Sequence, residues 1–217
     1  MIDDDNSVNI KVRDRSRAYH HGDLRSALIE TGLSWLGTRQ GDEISLREIA
    51  RLAGVSATAV YRHFPDKSAL IAALCERGEA GLATAQRTAA DAAGGGVAGF
   101  GASGQAYVRF ALANSGLFRL MMSTRPATER LTDVLDDQST AMRGLREDVA
   151  AVLPNSADAH QRIAAIHAWS LVHGMAMLML DGMIPAEEAL IQSISAPQFN
   201  EPQSIEGSFE DGGRLAL

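Results

Sequence analysis

The sequence predicts an all-α fold in two parts: a small N-terminal head of three helices built around a helix-turn-helix, and a larger helical domain behind it. Three stretches carry that expectation. Ser45 to Phe64, SLREIARLAGVSATAVYRHF, reads as two short helices joined by a tight turn. The segment opening at Pro65-Asp66 reads as one long helix that runs to about Ala93 and is broken by Gly94-Gly95-Gly96. Ile163 to Leu180 is eighteen residues without a formal charge, the pattern of a helix apolar all round and therefore buried on all sides.

In the central stretch, Ser45 followed by Glu48 has the form of a capping box. The serine oxygen accepts from an early free amide and the glutamate reaches back to the serine N–H. Leu46, Ile49, Ala50 and Ala53 then recur at the spacing that lays one apolar stripe on a core. Gly54 stops this helix, because glycine enters the left-handed conformation without a steric penalty. Val55 fills the space under the turn, Ser56 caps a second helix, and Pro65 ends it. On that second helix Val60 and Phe64 face inward. Thr58, Tyr61 and Arg62 project outward beside the small Ala57. Hydroxyl, phenol and guanidinium suit base edges and phosphate oxygens. A helix, glycine turn and helix also occurs as plain structure in many helical proteins.

The flanks narrow the choice. A helix-length segment, Tyr19 to Leu36, precedes the unit, and YRHFPDKSALIAAL leads from it straight into a long helix. Ile49-Ala50, Ala53 to Ser56 (AGVS), Tyr61, His63-Phe64, Lys67 and Leu70 closely resemble the N-terminal domain of the TetR/AcrR family of transcriptional regulators. Thr58 and Ala59 depart from the glycine and threonine common there, which bears on the operator sequence rather than on the binding mode. The resemblance implies contacts to double-stranded DNA. Arg47, Thr58 and Arg62 are the candidates for bases, and Ser45, Tyr61, His63 and Lys67 for phosphate, with Ala57 beside them.

Charge is distributed to match. The formal net charge is −7, yet Lys11 to Arg77 holds eleven Lys and Arg against eight Asp and Glu, whereas Gly78 onward holds nine against sixteen. A basic third beside an acidic remainder fits a DNA-binding head with a separate second domain. A single cysteine, Cys75, excludes an internal disulfide and a cysteine-based zinc site, and fits a reducing cytoplasm. The N-terminus opens on Asp3-Asp4-Asp5, unlike a signal peptide.

The expected boundaries are residues 1–17 as a disordered arm, 18–77 as the head with the start of the fourth helix, 78–195 as a helical ligand-binding and dimerisation domain, and 196–217 as a disordered tail. Lys11, Arg13, Arg15 and Arg17 could follow a minor groove or remain a solvated tail. The first helix shows a stripe of Leu24, Leu28, Thr31 and Trp35. His20 and His21 point apart on a helix and lack a third ligand, so no metal is expected. Asp66 caps the long helix, with Lys67 in its first turn, where a helix N-terminus attracts phosphate. Farther on, a helix ends at Tyr107 to Asn114, a short one covers Leu117 to Met122, and Glu129 to Leu153 is long and amphipathic.

Ile163 to Leu180 has the length of a membrane span, but His167, Ser170 and His173 interrupt it and no second span exists, so no membrane is expected. Its small residues Ala164, Ala168, Gly174 and Ala176 admit a close helix neighbour. Trp169, His173 and Gly174 resemble the signature of one TetR C-terminal subgroup, and Pro185 to about Ser195 reads as a last helix.

Tyr107, Phe110, Phe118, Met121, Met142, Trp169, His173 and Met177 are the candidates to line a pocket for a small apolar effector, with ordinary core filling as the plainer role. No Glu-x-x-His pair, P-loop or dinucleotide-type glycine loop is present, so neither an enzyme nor a cofactor is expected. The expectation is a ligand-responsive repressor, acting as a homodimer on a pseudo-palindromic operator. The alternative is a helical small-molecule-binding or scaffold protein without DNA affinity.

Overall fold

The computed structural model describes residues 24–38, 44–124 and 140–194. They form α1 (Leu24–Thr38), α2 (Leu46–Ala53), α3 (Ala57–Tyr61), α4 (Lys67–Ala92), α5 (Gly96–Ala113), α6 (Ser115–Ser123), α7 (Thr140–Val152), α8 (Asp158–Leu180) and α9 (Glu188–Gln192). The described residues contain no strand. The N-terminal arm, the adjacent histidines, the stretch of the long amphipathic segment before Thr140 and the C-terminal tail lie outside the described residues.

The head follows its local signals closely. Gly54 takes φ 68° and ψ 32° after α2. The Gly54 N–H donates to Arg51 O and the Val55 N–H to Ala50 O, the paired bonds that close a helix end through a left-handed residue. Ser56 and Asp66 cap α3 and α4, their side chains accepting from Ala59 N and Ala69 N at 3.2 and 2.8 Å. Leu28, Ile49, Val60, Phe64, Leu70 and Leu74 are buried completely or nearly so in one apolar cluster.

Two local expectations are corrected. Ser45 is the N-cap of α2, but its hydroxyl makes no cap hydrogen bond. The Glu48 carboxylate forks onto Arg51 instead, at 2.7 and 2.9 Å, since a guanidinium one turn away is a stronger partner than a neutral amide. The second helix of the unit also stops earlier than Pro65. It ends at Tyr61, and the N–H groups of His63 and Phe64 both donate to Val60 O, closing the last turn.

Behind the head, α4 and α5 form a long hairpin through Gly94–Gly96, α5 packs along α8, and α7 closes over α4, α5 and α8. One apolar cluster runs without interruption from α1 through α4 and α6 to α8 and α9. A smaller one joins Phe100, Val149, Ala164, Ala165 and Ala168 at the far end. The α6 N-terminus docks on α1 so closely that a Cβ on Gly116 would stand 2.3 Å from Leu36 O.

The second half brings two more corrections. By length and composition α8 could cross a membrane, with a mean hydropathy of 1.6 over its most apolar window, of which 28% is buried. Ala164, Ala168 and Ala176 are buried, whereas Ile163, His167, Ser170, Leu171 and Leu178 line an exposed side. The uncharged run therefore has one packed face and one open face, not burial on all sides. The final helix is five residues, Glu188 to Gln192, and does not begin at Pro185, because Glu187 is still extended at φ −93° and ψ 135°. Gln105 pins its end by donating to Gln192 O and Ile194 O, and Arg109 forms a two-pronged ion pair with Glu188.

Gly116→Ala must push a methyl into backbone and should lower stability by about 1–3 kcal/mol in denaturant unfolding. Gly37→Ala meets nothing within 4 Å and should be neutral or slightly stabilising on helix propensity. Equal midpoints for the two variants would show that α6 does not seat on α1 in this way.

Candidate nucleic-acid interface

The head turns one side to solvent, and Ser45, Arg47, Ala57, Thr58, Tyr61, Arg62, His63 and Lys67 are all exposed on it. Ser45, Arg47, Tyr61 and Lys67 come together along an open groove of about 590 Å³ that is floored by Ile44, Leu46 and Pro65. The N-termini of both α2 and α4 open onto this groove, through Ser45 and Asp66. Free amides at a helix N-terminus attract anions, and a lysine in the first turn of α4 adds a full charge. The Ser45 hydroxyl, released from capping, adds a donor.

Thr58, Arg62 and His63 stand outside the groove lining, on α3 and the turn that follows it. They form a polar ridge beside the groove, with Tyr61, 47% exposed, between ridge and groove. What holds the ridge is the opposite side of the same turn, where Val60 and Phe64 are 0% and 1% exposed. Arg51 is engaged with Glu48, so its charge is largely compensated within the head.

One exposed cation escaped the sequence reading. The Arg25 guanidinium lies 5.4 Å from the centre of the Phe64 ring, which places a charge from α1 against the ring that anchors the turn from its inner side. Its signal, an arginine in the first turn of α1, cannot be distinguished in sequence from any solvated arginine.

The second domain holds the pocket candidates in two groups. Tyr107, Met142 and Trp169 line an inner chamber of only about 40 Å³, with Phe100, Leu145 and Val172 among its apolar walls. Phe110, Phe118, Met121, His173 and Met177 are outside that lining. Phe118 and Met121 are buried in the main core, and Phe110 rests near Gly81 of α4. Three polar residues that sequence reading missed complete the chamber: Gln86 from α4, Ser103 from α5 and Asp148 from α7.

The tryptophan and histidine of α8 have a definite task. The Trp169 indole N–H donates to the Tyr107 hydroxyl at 3.3 Å, and that hydroxyl pairs with His173 Nδ1 at 3.0 Å. Tyr107 also meets Phe118 edge to face at 5.6 Å between ring centres. A buried phenol is thus satisfied from both sides, and α5 is locked to α8 in one rotation. Cys75, half-buried near Thr124 Oγ1, has its thiol pushed up by burial. No group of three metal-ligating side chains occurs among the described residues.

Residues 28–74 match the model for bacterial regulatory proteins of the tetR family, and residues 100–195 match that for a tetracyclin repressor-like C-terminal domain. A protein of unknown function from Rhodococcus sp. RHA1 is 31% identical, with a TM-score of 0.65, over 82% of this chain and 92% of its own. A tetR-family transcriptional regulator from Streptomyces coelicolor shares the fold at 24% identity and a TM-score of 0.59, with 78% of each chain covered. With its exposed helix-turn-helix ridge and the helical domain behind it each matching, the chain belongs to the tetR family of DNA-binding transcriptional regulators.

Proposed function

We propose that the chain is a ligand-responsive repressor that binds a pseudo-palindromic operator as a homodimer in the cytoplasm, without a cofactor or a catalytic step. The exposed ridge of Thr58 and Arg62 beside the groove of Ser45, Arg47, Tyr61 and Lys67 carries this reading. The ridge enters the major groove, with Thr58 and Arg62 on base edges and Ala57 allowing close approach. Ser45, Tyr61, His63 and Lys67 grip phosphate. Arg47, expected from the sequence on a base edge, lines the groove with three of these and in this reading joins the phosphate set instead.

Pairing uses the open side of α8. Ile163, Leu171 and Leu178 are 51%, 49% and 40% exposed on it, and Gly174 leaves room for a facing helix, since a Cβ there would meet nothing within 4 Å. A two-fold axis through this face makes the contact self-complementary and sets two ridges on one side of a duplex. Regulation runs through α4, which carries Lys67 at the groove and Gln86 at the inner chamber, roughly 30 Å apart along a helix rising 1.5 Å per residue. A ligand shifts the spacing of the ridges only by as much as its affinities for the two spacings differ.

Arg62→Ala should relax specificity at one base pair by about 1–3 kcal/mol, whereas Lys67→Ala should weaken cognate and random DNA alike and lower the salt slope by about one. Fluorescence anisotropy on both DNAs over a salt series separates these roles, and identical behaviour of the two variants would refute them. Leu171→Glu should sediment at half the mass of the parent and lose at least about tenfold in operator affinity, because two heads no longer bind as one unit. A variant that still sediments as a dimer would exclude this face as the interface.

A further inference from the structure

We propose that the effector is an apolar molecule bearing one cationic nitrogen, and that the Asp148 carboxylate of α7 receives that nitrogen. This rests on the second domain being an effector site and specifies the chemistry of that site.

The inner chamber has a neighbour. A cleft of about 390 Å³ lies between α4 and α7 and shares with the chamber a wall made of Gln86, Ser103, Leu145 and Asp148. At about 40 Å³ the chamber alone holds little more than a water, so a ligand enters by the cleft and extends inward only as side chains such as Met142 yield. The cleft is large enough for a small drug-sized body.

Most of the chamber wall is apolar, and the polar groups on the shared wall are ordered toward one end. Gln86 Nε2 donates to Ser103 Oγ at 3.3 Å, and the Asp148 carboxylate stands on the same wall. Ser103 is 5% exposed, so this pair is built into the wall rather than draped on the surface. Beside it on the wall is the Asp148 carboxylate, which can accept further donors.

The charges around Asp148 do not balance. Arg87 bonds Glu147 at 3.2 Å but stops 3.7 Å short of Asp148, beyond a charge-assisted hydrogen bond. Burial pushes the Asp148 carboxyl up, Arg87 and Ser103 pull it back, and Glu147 and Asp91 add to the rise. Glu147 and Asp148 therefore share one guanidinium, which is itself half exposed across the cleft, and Asp91 adds negative charge to the surroundings of Asp148. A protonated nitrogen in the cleft would gain a partner at hydrogen-bonding distance and relieve that repulsion. A neutral hydroxyl gains only the hydrogen bond, and an anion adds to the repulsion.

The test uses the full-length protein and three probes of one shape: 4-phenylbutylamine, 4-phenylbutanol and 4-phenylbutyrate, titrated by calorimetry at neutral pH. The amine should bind at least about tenfold tighter than the alcohol, with the carboxylate weakest. Asp148→Asn should cut amine affinity at least about tenfold, leave the alcohol within about twofold, and leave operator affinity without ligand unchanged. If amine and alcohol bind alike, or the variant keeps the amine, the cationic nitrogen is wrong while the cavity remains an effector site. If the carboxylate binds best, Arg87 is the recognising group and the proposal is overturned. If no probe binds a protein that still holds its operator, the proposal falls together with the effector-site reading. Should Asp148→Asn fail to fold, the ranking of the three probes on the parent protein decides.

Discussion

Everything the head presents to a duplex depends on the removal of Val60 and Phe64 from water. Both are essentially fully buried, each contributing about 1.5–3 kcal/mol, and they belong to the same cluster as Leu28, Ile49, Leu70 and Leu74. A five-residue helix such as α3 has too few internal hydrogen bonds to persist alone. Its geometry is imposed by those two anchors, by the left-handed turn at Gly54 and by the Ser56 cap. Thr58, Tyr61 and Arg62 point outward because Val60 and Phe64 must point inward.

The same cluster continues into the second domain. Leu70, Leu74 and Leu82 on α4 share it with Leu117 and Met121 on α6 and with Tyr107 on α5. The α6 N-terminus touches the carbonyl end of α1. Close-packed cores transmit displacement rather than absorb it, and α4 is packed into this one cluster at Leu70, Leu74 and Leu82. The two parts of the chain are separate in function but continuous in packing.

The polar residues of the second domain separate into two tasks. Tyr107, Trp169 and His173 satisfy one another and fix the rotation of α5 against α8. Gln86, Ser103 and Asp148 leave a carboxylate at the edge of a cavity. The first arrangement is closed and structural. The second lines the wall shared by the chamber and the cleft.

Signals that act within a few residues were legible in the sequence: the Ser56 and Asp66 caps, the glycine stop at Gly54, the inward and outward faces of α3, and the break after α4. Each depends on hydrogen bonds or steric limits inside one turn. The capping box at Ser45 did not form, and Arg51 takes the Glu48 carboxylate that would have completed it. The pocket was not legible. Whether Met142 or Met177 faces a cavity depends on how far a helix is rotated against neighbours distant in the chain, and a period of 3.6 residues does not reveal which apolar face meets what. The sequence by itself determined the helices of the head, their family and the polar ridge, because caps, glycine and apolar period act locally. Only the tertiary structure decided which face of α8 stays open and that Gln86, Ser103 and Asp148 meet, because those depend on the packing of α4, α5, α7 and α8 at long range.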